Sequence, residues 1–130
     1  MDNSSGAVLN LLRRVPYFAN LSAEVLAALA QAAACRHYAR GQMIFLEREP
    51  CAGLFIVATG QVKIFKLSPQ GREQILQHLG PGSTFNEVAV LDGGPNPASA
   101  AAVADAILYH IHRNEIRRLA SAHPQLAWAL

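Results

Sequence analysis

Between residues 7 and 34 the apolar positions follow a helical period, and from residue 36 to residue 112 they fall into short runs parted by turn residues. Ala7, Val8, Leu9, Leu11 and Leu12, followed by Arg13-Arg14 and then Pro16, predict a short helix with basic residues in its last turn and a proline stop. A second helix is predicted directly afterwards. Ser22 suits its N-cap, Glu24 sits in the first turn where negative charge is favoured, and Val25, Leu26, Leu29 and Ala33 recur on one face. Beyond Ala34, runs at 43–46, 54–57, 62–67 and 72–79 read as strands, spaced by the roughly 8 to 12 residues of a small sandwich or barrel. Gly41, Thr59-Gly60 and Ser68-Pro69-Gln70-Gly71 divide them, the last with the Pro and Gly placement of a type I turn. Val62-Lys63-Ile64-Phe65-Lys66 alternates imperfectly, so one face of that strand is expected to be only partly buried. Strands at 98–103 and 106–111 follow, then a helix with Ile116, Leu119 and Ala120 on one face and Arg117-Arg118 on another. Pro124 opens a last segment whose Leu126, Trp128 and Leu130 are expected to stay uncovered, as in the start of a longer dimerisation helix.

Composition narrows the class. With 130 residues, 52% hydrophobic and 15% charged, the chain is expected to be one domain with an ordinary core. No apolar run approaches the roughly 20 residues of a membrane span, and the N-terminus lacks a basic segment followed by an apolar one, so a cytoplasmic protein without membrane partners is expected. The formal charge of +2 is carried by scattered residues apart from Arg13-Arg14 and Arg117-Arg118, too little for a nucleic-acid surface; any DNA contact is expected from a module beyond Leu130. Cys35 and Cys51 form no CxxC pair, and two thiols cannot hold a four-cysteine iron–sulfur cluster.

The chemistry concentrates in residues 85–99. Phe85-Asn86-Glu87-Val88-Ala89, a short loop, and then Pro95-Asn96-Pro97-Ala98-Ser99 resemble the phosphate-binding cassette of cyclic-nucleotide-binding domains, which reads Phe-Gly-Glu-(Leu/Ile)-Ala and later Arg-(Ser/Thr/Ala)-Ala. Two further motifs carry the resemblance. Phe55-Ile56-Val57-Ala58-Thr59-Gly60-Gln61-Val62-Lys63-Ile64 is similar to the family's glycine-centred hairpin, and Leu79-Gly80-Pro81-Gly82-Ser83-Thr84-Phe85 to the segment leading into its cassette. Together with the order of elements, these make the chain similar to the sensory domain of bacterial Crp/Fnr-type transcription regulators.

The resemblance implies an α+β fold, a double-stranded antiparallel β-roll of jelly-roll type with flanking N- and C-terminal helices. Residues 1–34 would supply the N-terminal helices, 35–112 the roll with its cassette at 85–99, and 113–130 the C-terminal helices. It also implies an allosteric sensor of a small-molecule effector, homodimeric through its C-terminal helix, rather than an enzyme. The implied ligand-binding residues are Asn86, Glu87, Val88, Asn96, Pro97, Ala98 and Ser99. In the family the cassette Arg neutralises the cyclic phosphate and the Glu binds the ribose hydroxyl. Glu87 is kept, but Asn96 stands at the Arg position, Asn86 replaces the family's Gly, and Pro97 has no backbone N–H to offer a phosphate. Loss of a bidentate, charge-assisted Arg–phosphate contact costs about 2 to 5 kcal/mol, so cyclic AMP and cyclic GMP are expected not to be the effectors. Glu87 has two open readings, acceptor for a polyol or structural partner of the cassette helix or of a nearby base.

Other chemistries compete with this reading. A cyclic-nucleotide site with a substitute cation would draw on Lys63, Lys66 or Arg72. His110 and His112, at i and i+2 on a strand with Glu115 close by, distantly resemble the metal ligands of cupin barrels, an enzyme alternative. The glycine and further histidine that such a site needs are missing, and no metal is expected. Haem needs only one well-placed axial His, and His37, His78 and His123 are isolated in the sequence. No nucleophile elbow, His-Glu-x-x-His motif or Walker loop is present.

Overall fold

The computed structural model describes residues 5–129. Two N-terminal helices, α1 (Ser5–Arg14) and α2 (Ala23–Ala32), are joined through a 3-10 turn at Pro16–Phe18. Ser22 caps α2 as its residue type predicts, its hydroxyl accepting from the Val25 N–H at 3.3 Å. Eight strands follow: β1 (Ala34–Tyr38), β2 (Met43–Phe45), β3 (Gly53–Thr59), β4 (Val62–Leu67), β5 (Glu73–Leu79), β6 (Thr84–Phe85), β7 (Ser99–Ala102) and β8 (Ala106–His112). A short helix, α3 (Glu87–Asp92), interrupts them between β6 and β7, and α4 (Arg113–Ala122) and α5 (Pro124–Ala129) close the chain.

The strands form two four-stranded antiparallel sheets, ordered β1-β8-β3-β6 and β2-β7-β4-β5. The expected β-roll with flanking helices is therefore present. Strand β3 shows why: Phe55 and Val57 face the roll interior with Phe85, Leu108 and Ala100, whereas Leu54 and Ile56 face the helices with Phe18, Leu29 and Ile116. A strand covered on both faces reads as one unbroken apolar run, as at 54–57. The hairpin from β3 to β4 turns at Gly60, whose φ is +88° and where an added Cβ would lie 2.4 Å from the Asp105 carbonyl oxygen, so only glycine fits. In β4 the imperfect alternation has a structural cause. Val62 and Ile64 pack with the roll interior, and Phe65, buried on the opposite face, is covered by Lys63, whose Nζ lies 5.0 Å from the ring centroid.

Several expectations are corrected. The strand expected from residue 72 begins at Glu73, Arg72 belonging to the turn that Ser68 closes by accepting from its N–H at 3.0 Å. Strand β1 carries Arg36 and His37 along an edge with no alternating apolar signal, and β6 is two residues long; neither stands out in the sequence as an apolar run. Leu126 is fully buried rather than uncovered, because α5 folds back against the 3-10 turn and joins the core with Phe18 and Ile116. Trp128 remains 88% exposed, as expected, and Leu130 lies outside the described residues. No described helix is long and apolar enough to cross a membrane.

Candidate functional site

The cassette is set by backbone geometry at both ends of α3. Asn86, which opens the helix, has φ 72° and ψ 20°, and Gly93, which ends it, has φ 79°. Left-handed geometry costs a β-branched or bulky residue most; Asn tolerates it, so Asn86 can occupy the place where the related pattern carries Gly. Its side chain does not cap α3. Instead Nδ2 donates to Asn96 Oδ1 at 2.9 Å and also faces Cys51 Sγ at 3.7 Å, whose thiol is pushed up chiefly by burial.

Asn96 is 2% exposed and bound on every side. Its Nδ2 donates to the Leu46 carbonyl at 3.0 Å, its N–H donates to the Glu49 carbonyl at 2.9 Å, and its own carbonyl accepts from the Arg48 N–H at 2.9 Å. The next bridge along, Pro50 to Pro95, continues this seam between the two loops. The side chain at the phosphate-binding position of the pattern thus ties loops together and does not face the cavity.

Glu87 occupies the first position of α3, with its carboxylate in the field of the helix N-terminus. The Tyr17 hydroxyl donates to Glu87 Oε2, and the Thr84 hydroxyl lies 2.8 Å from that oxygen and 2.9 Å from the Tyr17 hydroxyl. Three oxygens therefore share two hydroxyl protons, and Oε1 has no partner among the described residues. Burial, and secondarily the bond to Glu87, pushes the Tyr17 phenol above its ordinary pKa.

A cavity of about 250 Å³ opens at this cluster, between the two sheets. Phe45 and Phe85 wall it, within an aromatic group in which Phe55 and Phe85 stack at 5.1 Å and Phe45 lies 5.5 and 5.8 Å from them. Of the residues expected to bind ligand, Asn86, Glu87, Pro97 and Ala98 line the cavity. Val88 is 69% exposed on the outer face of α3, and the buried Ser99 hydroxyl accepts from the Glu47 N–H at 2.8 Å. Neither Asn96 nor Ser99 lines it, and it has no lysine, arginine or histidine in its wall. Tyr17, Thr84 and Gln77 also line it and were not anticipated: Tyr17 stands 70 residues before Glu87, and no local pattern announces that meeting.

The alternative groups are engaged elsewhere. Lys63 pairs with Glu73 at 2.5 Å and Lys66 with Glu47 at 3.4 Å, and neither they nor Arg72 line the cavity. His110, His112 and Glu115 do not converge. The buried His110 lies against Phe55, and burial first, then the charges of Arg36 and His112, lower its pKa to about 4; its Nε2 has no hydrogen-bond partner. The exposed His112 caps α4, its Nδ1 accepting from the Asn114 N–H at 3.0 Å, and Glu115 pairs with Arg118 at 2.7 Å. Among the described residues no group of three or more His, Cys, Asp or Glu is placed to hold a metal ion.

Two facing antiparallel sheets, with a helical cassette between the sixth and seventh strands and a cavity at that cassette, define a β-roll domain built around a candidate ligand site. The Cyclic nucleotide-binding domain family matches residues 35–123, and the chain belongs to it. A CRP-like cAMP-activated global transcriptional regulator of Mycobacterium tuberculosis is 30% identical over 117 residues, 90% of this chain and 52% of that protein. The Cyclic AMP receptor protein of Thermus thermophilus is 40% identical over 88 residues, 65% of this chain and 41% of that protein. Among solved structures, the sensor domain of the transcriptional regulator DNR from Pseudomonas aeruginosa superposes with a TM-score of 0.86 at 26% identity, covering 98% of this chain and 86% of that one. The chain spans about half the length of the curated relatives it matches.

Proposed function

We propose that this chain is the effector-sensing domain of a Crp/Fnr-type transcription regulator and that its effector is neither cyclic AMP nor cyclic GMP. The observation that carries the second part is Asn96. The residue at the phosphate-binding position is buried, uncharged and hydrogen-bonded into the loop seam, and the cavity wall supplies no cation in its place. A cyclic phosphate brought there would lose part of its hydration without a charge-assisted contact in return. Glu87 is left as the principal polar group, an acceptor for hydroxyl or amine donors.

The transcriptional part of the reading is supported by the regulators to which the chain is similar. In this reading the cassette reports to the C-terminal helices. Helix α3 packs on α4, and the Arg117 guanidinium lies close to Gly93 at the cassette's end, so a ligand that shifts α3 bears directly on α4. Dimerisation through the C-terminal helix, DNA reading by a further module and cytoplasmic residence belong to the same proposal.

Thermal unfolding tests the effector assignment. A ligand at one hundred times its Kd adds about 2.7 kcal/mol, which raises the Tm of a domain of this size by several degrees. Cyclic AMP or cyclic GMP at about 1 mM is expected to leave Tm unchanged; a rise of several degrees would overturn the assignment. In that event the sensitivity of the rise to Lys63→Ala, Lys66→Ala and Arg72→Ala would identify the substitute cation.

A further inference from the structure

A second cavity of about 450 Å³ adjoins the first and shares Tyr17, Gln77 and Thr84 with it. It lies between the end of α1 and the segment leading into the cassette, and Arg14 is the one cation in the walls of the two cavities. Arg14 forms no ion pair among the described residues. The polar groups are thus separated by sign. Glu87 lines the first cavity with Phe45 and Phe85, Arg14 lines the second with Leu79 and Pro81, and Tyr17, Thr84 and Gln77 form the wall that the two share.

From this arrangement we infer that the joined cavities take an organic acid with an apolar body, its anionic group on Arg14 and a hydroxyl or amine N–H at its far end on Glu87. The chemistry follows from the donor inventory. A guanidinium offers a fork of donors matched to a carboxylate or sulfonate, and the open Oε1 of Glu87 accepts but cannot donate. Phe45 and Phe85 in one cavity and Leu79 and Pro81 in the other give an aromatic or aliphatic body apolar surface to lie on, with the Gln77 amide at the shared wall. The cation comes from the N-terminal helix rather than from the cassette, so the same binding event would tie α1 to α3. The inference rests on the reading of the cassette cavity as an effector site without a phosphate-binding cation.

Two fluorescent probes isolate the anion. 2-(p-Toluidino)naphthalene-6-sulfonate carries a sulfonate at one end of an apolar naphthalene body and an N–H at the other; N-(p-tolyl)-2-naphthylamine is the same body without the sulfonate. The first is expected to bind the folded domain saturably at one site, Arg14→Ala to weaken it about tenfold, and Arg14→Ala to leave the second unchanged. Arg14 is exposed, so its removal is expected to leave the core intact, to be checked by circular dichroism of the variant. Failure of the sulfonate probe to bind, or binding that ignores Arg14, or an equal loss for both probes would each overturn the inference. Cyclic AMP titrated in parallel separates the two proposals: micromolar binding of the nucleotide beside Arg14-dependent binding of the sulfonate would remove the assignment against cyclic nucleotides and leave the acid site standing.

Discussion

Asn96 is satisfied at both ends of its amide, and this is the physical reason that a position expected to meet ligand instead meets protein. Replacing the buried Asn96 by Ala would remove the bonds that tie the Leu46 carbonyl and the Asn86 amide together across a part-buried seam and would leave a gap in it. Asn96→Ala is expected to destabilise the domain by about 1 to 3 kcal/mol, read from the urea midpoint at unchanged slope. His110 makes a second prediction at this scale. Its pKa, about 4 in the folded protein against 6.5 ordinarily, means that the unfolded chain binds the proton first as pH falls. The stability this neutral ring carries is whole above pH 6.5 and is lost as pH falls towards 4, about 2 kcal/mol of it by pH 5. Urea unfolding at pH 7.5 and 5 should show this loss in the native protein and a shallower one in His110→Leu; equal slopes in the two would contradict it. Glu87 was legible from its sequence pattern, whereas its partner Tyr17 was not. Tyr17 lies in a 3-10 turn that brings a distant segment over the cassette, and distance in sequence hides such a pair.

At the scale of elements, legibility followed burial. The strands at 54–57 and 62–67 were readable because their apolar residues have two or one covered faces, and the β3–β4 reversal because Gly60 alone fits it. Strand β1 was not, since its exposed edge residues follow no alternation, and β6 is too short to carry one. The last segment misled in a different way. A two-turn helix is marginal alone, but Leu126 finds a complete pocket among Phe18, Ile116 and other core residues, so tertiary packing holds α5 where local propensity would not. Leu126→Ala is accordingly expected to cost about 2 to 5 kcal/mol, as for other fully buried leucines, with Trp128→Ala as the exposed comparison costing little. A neutral Leu126→Ala in denaturant unfolding would show that α5 does not belong to the folded core.

For the whole molecule, the β-roll was read from the order of elements and from three motifs, and membership of the Cyclic nucleotide-binding domain family agrees with it over residues 35–123. What the sequence could not show was how the cavity is closed. Its walls come from the N-terminal turn, β2, β4, β5 and the cassette together, and only the assembled fold reveals that Asn96 points away from it while Arg14 stands at its neighbour's rim. The cassette keeps its helix between the sixth and seventh strands while the uncharged Asn96 stands, bonded into the loops, at the position of the phosphate-binding Arg, so cyclic nucleotides are expected not to bind. Calorimetric titration of the purified domain, shown first to carry no bound nucleotide, tests this most directly. No saturable heat is expected with cyclic AMP or cyclic GMP up to about millimolar concentration, since removing about 4 kcal/mol of phosphate contact takes a micromolar site to about millimolar. One-to-one binding of either nucleotide at micromolar Kd would contradict it.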